Sequence, residues 1–110
     1  MKVRLIKKKT IYNYISLNKN SKIYFENWLK LIKYADWSNT NDIELTFKSA
    51  DILGKGSNRI VFNIGGNKYR MICSYKFGKN YVHLFVKWLG THAEYTKLCS
   101  DNLQYTINVY

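Results

Sequence analysis

Hydrophobic positions recur along the chain in two regimes, at helical spacing in the first third and in alternation through the second half. Val3 to Ile6 read as a short opening strand. In the "TIYNYIS" that follows, Ile11, Tyr14 and Ile15 share one face of a short helix, with Thr10 as its predicted N-cap. From about Ser21 to Ala35, Phe25, Trp28, Leu29 and Ile32 form one apolar stripe. Trp28 is therefore assigned to the core, and Lys22, Lys30 and Lys33 to the solvated side. A connector of turn formers and acids follows, "DWSNTNDIELTFKSADILGKGSNR". Within it, Asp42 to Lys48 fit a turn of helix or an irregular strand equally well.

Alternation then takes over. In "RIVFNI", Ile60, Phe62 and Ile64 face one way and Arg59, Val61 and Asn63 the other. Gly65-Gly66-Asn67 reads as a hairpin turn, because these residues tolerate positive φ. The return arm, "KYRMICSY", sets Tyr69, Met71, Cys73 and Tyr75 against Lys68, Arg70, Ile72 and Ser74. After a turn at Phe77 to Asn80, "YVHLFVKWLG" assigns Val82, Leu84, Val86 and Trp88 to the core, with His83, Phe85 and Lys87 opposite. Strands joined by short turns pair antiparallel. The expected fold class is α+β: two N-terminal helices packed on one face of a small, mostly antiparallel sheet, the other face free for ligand. The tail alternates at Tyr105, Ile107 and Val109, which fits an extra edge strand or disorder.

The length of 110 residues implies one domain, and 46% apolar residues exclude disorder throughout. No run of about 18 apolar residues implies a membrane span. The basic N-terminus has no apolar segment behind it, so it does not read as a secretory signal. Cys73 and Cys99 lack metal-ligand spacing and fit a reducing cytoplasm. No cofactor or metal is implied.

Charge changes this picture most. Eighteen Lys and Arg stand against seven Asp and Glu, for a net +11. Residues 1–33 hold nine basic side chains and one acid, and residues 55–97 hold eight and one. The connector between them is acidic. Two basic blocks of this kind point to a polyanion-binding surface. The abundance of Lys, Asn, Ile and Tyr also matches an AT-rich coding sequence, which accounts for surface lysines more readily than for cations within strands.

On the return arm, Lys68 and Arg70 are expected on one side, about 7 Å apart, with Arg59 and Lys87 as further RNA-binding cations. Arg grips phosphate in two-pronged fashion and Lys acts as a point charge. Beyond Gly90, "THAEY" begins a turn or short helix capped by Thr91, with His92 and Tyr95 on one face. These groups suit metal-free RNA cleavage, in which a ribose 2′-hydroxyl attacks the adjacent phosphate. Arg70 and Lys68 would stabilise the phosphate, His92 would transfer a proton, and Tyr95 would donate a second proton or stack on a base. Glu94 is an alternative base, and His83 a bystander.

"ADWSNTNDI", "RIVFNIGGNKYRMIC" and "FVKWLGTHAEYTKL" resemble, in order and spacing, the signature blocks of the HigB toxins of type II toxin–antitoxin systems, within the RelE/ParE-like superfamily. The resemblance runs from about residue 2 to residue 98 and leaves 99–110 as a variable tail. It implies a ribosome-dependent endoribonuclease that cuts translated mRNA and is silenced by a HigA-like helix-turn-helix antitoxin, the two together binding operator DNA. Lys68, Arg70, His92 and Tyr95 fall on its motif positions, as do Phe62, Asn63 and Tyr69; Asn63 and Tyr69 are thereby implied in RNA binding. Two other functions fit the same superfamily or charge: a non-catalytic block of DNA gyrase, and a basic RNA-binding module.

Overall fold

The helical stripes and the alternating strands form the elements their spacing predicts, though not the alternating tail, and the computed structural model describes residues 1–110. In chain order these are β1 (Lys2–Ile6), α1 (Lys9–Leu17), a 3-10 turn at Lys19–Ser21, α2 (Lys22–Tyr34), α3 (Thr40–Thr46), β2 (Asp51–Leu53), β3 (Arg59–Ile64), β4 (Tyr69–Phe77), β5 (Tyr81–Thr91) and α4 (His92–Ser100). The strands form one sheet in the order β1-β5-β4-β3-β2. Only β1 is parallel to its neighbour, pairing Lys2 with Tyr81 through Ile6 with Phe85. The architecture is α+β with a mostly antiparallel sheet, as expected.

The stripes of α1 and α2 lay Ile11, Ile15, Phe25, Trp28 and Ile32 onto one sheet face, against Ile60, Phe62, Ile64, Met71, Cys73, Val82 and Leu84. Trp28 is buried, its ring edge-on to Phe62 at 5.2 Å and stacked on Phe47 at 5.8 Å. Thr10 is not the cap of α1. The helix starts two residues earlier than that cap implies, with Lys8 at the cap position and no side-chain cap bond. Asp42 to Lys48 resolves largely as helix, because the Asn39 side chain accepts the Asp42 N–H and starts α3. Asp51–Leu53 adds an edge strand beside β3, too short to show any periodicity.

One irregularity governs the second sheet face. Ile72 pairs with Trp88 but Cys73 pairs with Val86, so Lys87 has no partner and β5 carries a bulge. The extra residue reverses the alternation: Leu89 joins the core, and Trp88 turns to the opposite face. The expectation that Trp88 lies in the main core is corrected on this ground. It packs instead with Val61, Ile72, Tyr95, Leu98 and Ile107 in a second, smaller cluster.

The tail forms neither an edge strand nor a disordered end. It turns back after α4 and crosses the second face as a strap. The Arg59 guanidinium donates to the carbonyls of Gln104 (3.2 Å) and Ile107 (2.7 Å), and the Val109 N–H donates to the Lys87 carbonyl at 2.9 Å.

The β3–β4 turn spans residues 65–68, with Gly65 and Gly66 at φ +67° and +68°. A Cβ at Gly65 would also lie 2.8 Å from Tyr24 Cγ, whereas one at Gly66 meets open space. We predict that Gly66→Ala costs about 1–2 kcal/mol from backbone strain alone. Gly65→Ala costs measurably more, as read from urea midpoints; equal losses would mean that Tyr24 does not buttress the turn.

Candidate functional site

At the turn end of the sheet, the chain brings together several of the candidate residues. The His92 N–H donates to the Lys68 carbonyl at 3.1 Å, and Arg70 pairs in register with Gly90 on β5 and with Asn63 on β3. Positions 63, 68, 70 and 92 are thus near neighbours across three adjoining segments. Tyr95, one turn into α4, lies close enough to Arg70 for the guanidinium charge to act on its phenol.

A capping box fixes where α4 begins. Thr91 Oγ1 accepts the Glu94 N–H at 3.2 Å, and Glu94 Oε1 accepts the Thr91 N–H at 2.7 Å. This arrangement sets His92 as the first helical residue, with its side chain exposed to solvent. The Glu94 carboxylate is occupied in holding the helix start, which weakens its standing as a general base. Gly90 is required here, since a Cβ would sit 2.5 Å or less from the Trp88 ring.

Arg70 is 6% exposed, and its guanidinium folds back onto the turn. It donates to the carbonyls of Gly66 (3.1 Å) and Tyr69 (2.9 Å) and to Asn67 Oδ1 (3.4 Å). Three of five N–H groups are therefore used internally, and no carboxylate neutralises the charge. The turn thus orients the guanidinium and leaves two of its N–H groups without an internal acceptor.

Lys68 differs from expectation. It lies in the turn, not in β4, and its ammonium sits 5.3 Å from the Tyr24 ring centroid on the helical side. It does not share the Arg70 face, because the turn is one residue longer than Gly65-Gly66-Asn67. Tyr69 likewise packs on the helical side, 6.1 Å from Phe25 and 6.3 Å from Tyr14. Its ring belongs to an aromatic cluster on the face opposite Arg70.

Arg59 is also corrected. It is 7% exposed, with two strap carbonyls on its guanidinium, and is not a free cation for RNA. Nothing in the β3 alternation signals this, because its partners come from the tail. Lys87 sits at the bulge with its ammonium 5.8 Å from the Phe85 ring centroid. Asn63 stays on the Arg70 face, partly exposed.

The Tyr95 ring lies 6.1 Å from Trp88. Burial raises its phenol pKa well above the usual range; Cys99 and Asp51 add to the shift, and Arg70 opposes it. The phenol therefore stays protonated near neutral pH and is not available as a phenolate base. On the helical side, burial and then nearby Glu94 push the Tyr14 phenol up to about 12. No three His, Cys, Asp or Glu side chains come together in a set that could hold a metal ion.

The single ion pair in the structure joins the Met1 ammonium to Asp36. Every Lys and Arg side chain is therefore without a carboxylate partner, and the positive field is not cancelled locally.

Comparison with known families assigns this architecture to a class, the RelE-like toxic components of toxin–antitoxin systems. A family model with that description matches residues 21–98. Within the class, the chain belongs to the HigB toxin family. A search of curated proteins finds no match. As the toxic half of such a system, the protein has an antitoxin as its counterpart. No helix is long and apolar enough to cross a membrane.

The raised Tyr14 pKa carries a pH dependence. Between the ordinary value of 10.0 and about 12, the folded chain retains a proton that the unfolded chain has released. This contribution to stability is complete below pH 10 and is lost as pH rises towards 12. Denaturant unfolding as a function of pH should therefore show a steeper alkaline fall in the wild type than in Tyr14→Phe.

Proposed function

We propose that this HigB-family toxin is an mRNA endoribonuclease that acts on translated messages at the ribosome, in the cytoplasm, without a metal. The observation that carries this function is the convergence of Arg70, His92 and Tyr95 at the turn end of a sheet whose cations lack acidic partners. The ribose 2′-hydroxyl attacks the adjacent phosphorus, the P–O5′ bond breaks, and a 2′,3′-cyclic phosphate and a 5′-hydroxyl result. Arg70, held by the turn carbonyls, stabilises the charge that builds on the phosphoryl oxygens. His92, exposed on the first turn of α4, moves the proton, and the Tyr95 phenol supplies a hydrogen bond or the second proton. Lys68 and Lys87 add positive potential at the edges of the site, and Asn63 offers a polar contact beside Arg70.

The counterpart is a HigA-like helix-turn-helix antitoxin, and the pair binds operator DNA. Neutralisation requires the antitoxin to cover the turn end of the sheet or to disturb the geometry of its residues.

Expression without antitoxin should arrest growth, and mapping of RNA 5′ ends should show cleaved messages. His92→Ala should slow cleavage by about 10²- to 10⁴-fold with an unchanged melting temperature, since the side chain makes no internal bond. Arg70→Lys, which keeps the charge but loses the fork, should also relieve arrest. Intact messages during arrest would exclude cleavage and leave a block of a protein target.

Electrostatic binding gives a second test. With about four phosphates engaged, log K for single-stranded RNA should fall with a slope of about −3 in log salt. Arg59→Gln should leave that slope unaltered, because the strap already holds Arg59.

A further inference from the structure

The half of the second sheet face that α4 leaves open carries an ordered row of rings. Along β5, Tyr81, His83 and Phe85 project opposite the buried Val82, Leu84 and Val86. The ring centroids of Tyr81 and His83 are 6.5 Å apart, as are those of His83 and Phe85, the latter pair inclined by only 30°. Cations stand at both ends of the row. The Arg4 guanidinium lies 4.5 Å from the Tyr81 ring centroid, and the Lys87 ammonium 5.8 Å from that of Phe85. Lys76, exposed on β4, pairs in register with His83. No Asp or Glu occurs in β1, β4 or β5. A groove of about 480 Å³ runs beside Phe85 and is lined in part by Ser74 and Lys76.

Three rings in a line do not bury themselves in this fold. Tyr81 is 39% exposed, and His83 and Phe85 are partly exposed. A solvated strand face normally carries short polar or charged side chains. Here it carries three aromatic rings at the two-residue repeat of the strand, flanked by unpaired positive charge. Successive aromatic faces within a basic track are the arrangement that holds single-stranded nucleic acid, because every base has a face to stack and every linkage a charge to neutralise. A duplex offers its phosphates but not its base faces, so the rings discriminate between the two.

We propose that the row Tyr81–His83–Phe85, with Arg4, Lys76 and Lys87, is a base-stacking track for two or three nucleotides of the message strand, outside the cleavage site. The inference deepens the ribonuclease function in its choice of strand and does not need the chain to be cut at this track. From Phe85 to Gly90 is about 17 Å along β5, and the strap meets β5 between them, at the Lys87 carbonyl. The track and the turn end are therefore two contact regions on one strand of RNA, bridged by a few nucleotides that pass over the strap.

The test uses fluorescence anisotropy of the purified full chain with 2′-O-methyl oligonucleotides, which lack the attacking hydroxyl and cannot be cut. Tyr81→Ala and Phe85→Leu should each weaken binding of a twelve-nucleotide single strand by about 5- to 100-fold. Melting temperature should stay unchanged. Phe85→Leu retains apolar bulk, and Phe85→Trp should restore affinity. An oligonucleotide of the same length with abasic sites should bind wild type and variants alike.

Equal affinity of wild type and variants for the twelve-nucleotide strand would overturn the track, as would equal binding of single strand and duplex by the wild type. Cleavage is measured separately on ordinary RNA. Cleavage without ring-dependent binding overturns the track and leaves the ribonuclease standing. Ring-dependent binding without cleavage does the reverse.

Discussion

The extra residue at Lys87 determines what the second sheet face can do. Without the bulge, Trp88 would continue the inward alternation of Val82, Leu84 and Val86, and the second face would lose its largest apolar surface. With it, Trp88 joins Val61 and Ile72 as a seat for Tyr95 and Leu98 of α4. That seat places the first turn of α4 beside the β3–β4 turn, where His92 meets Lys68 through the backbone. A single insertion thus converts a plain antiparallel strand into one that packs the main core at one end and supports α4 at the other.

Electrostatics and packing are divided between the two faces. The helical side encloses most of the apolar core and uses Lys68 and Tyr69 to close its rim. The second face has a small apolar cluster and carries Arg59, Arg70, Lys76 and Lys87 with no carboxylate partner. Two buried arginines there are treated differently. Arg59 is satisfied by strap carbonyls, so its role is structural. Arg70 is aimed by its own turn and keeps donors free. Two arginines on adjacent strands and one sheet face thus differ in their partners, because different segments fold over them.

The main elements were legible in the sequence wherever the period was long enough to count. The stripe of α2, the alternation of β3 and β4, and the Thr91 cap each follow from local spacing. The fold and the family membership follow from the same residues. The errors lie where a distant segment or a one-residue offset decides. Arg59 needs the tail, Lys68 needs the true length of its turn, and Trp88 needs the bulge. The ring row on β5 was visible as the side opposite the core residues, but alternation alone does not say whether such a face is covered. Only the positions of α4 and the strap show which half stays open.

The parallel pairing of β1 with β5 has a consequence for how the molecule comes into being. The first strand of the chain finds its partner only in the last, while the hairpin strands between them are neighbours in sequence. Contacts of this separation are slow to form, because the loop entropy of the chain between Ile6 and Tyr81 must be overcome. A partly synthesised chain can assemble helices, and even the β3–β4 hairpin, without the outer sheet edge or the helix that carries His92. The outer sheet edge can therefore close only once β5 has been synthesised.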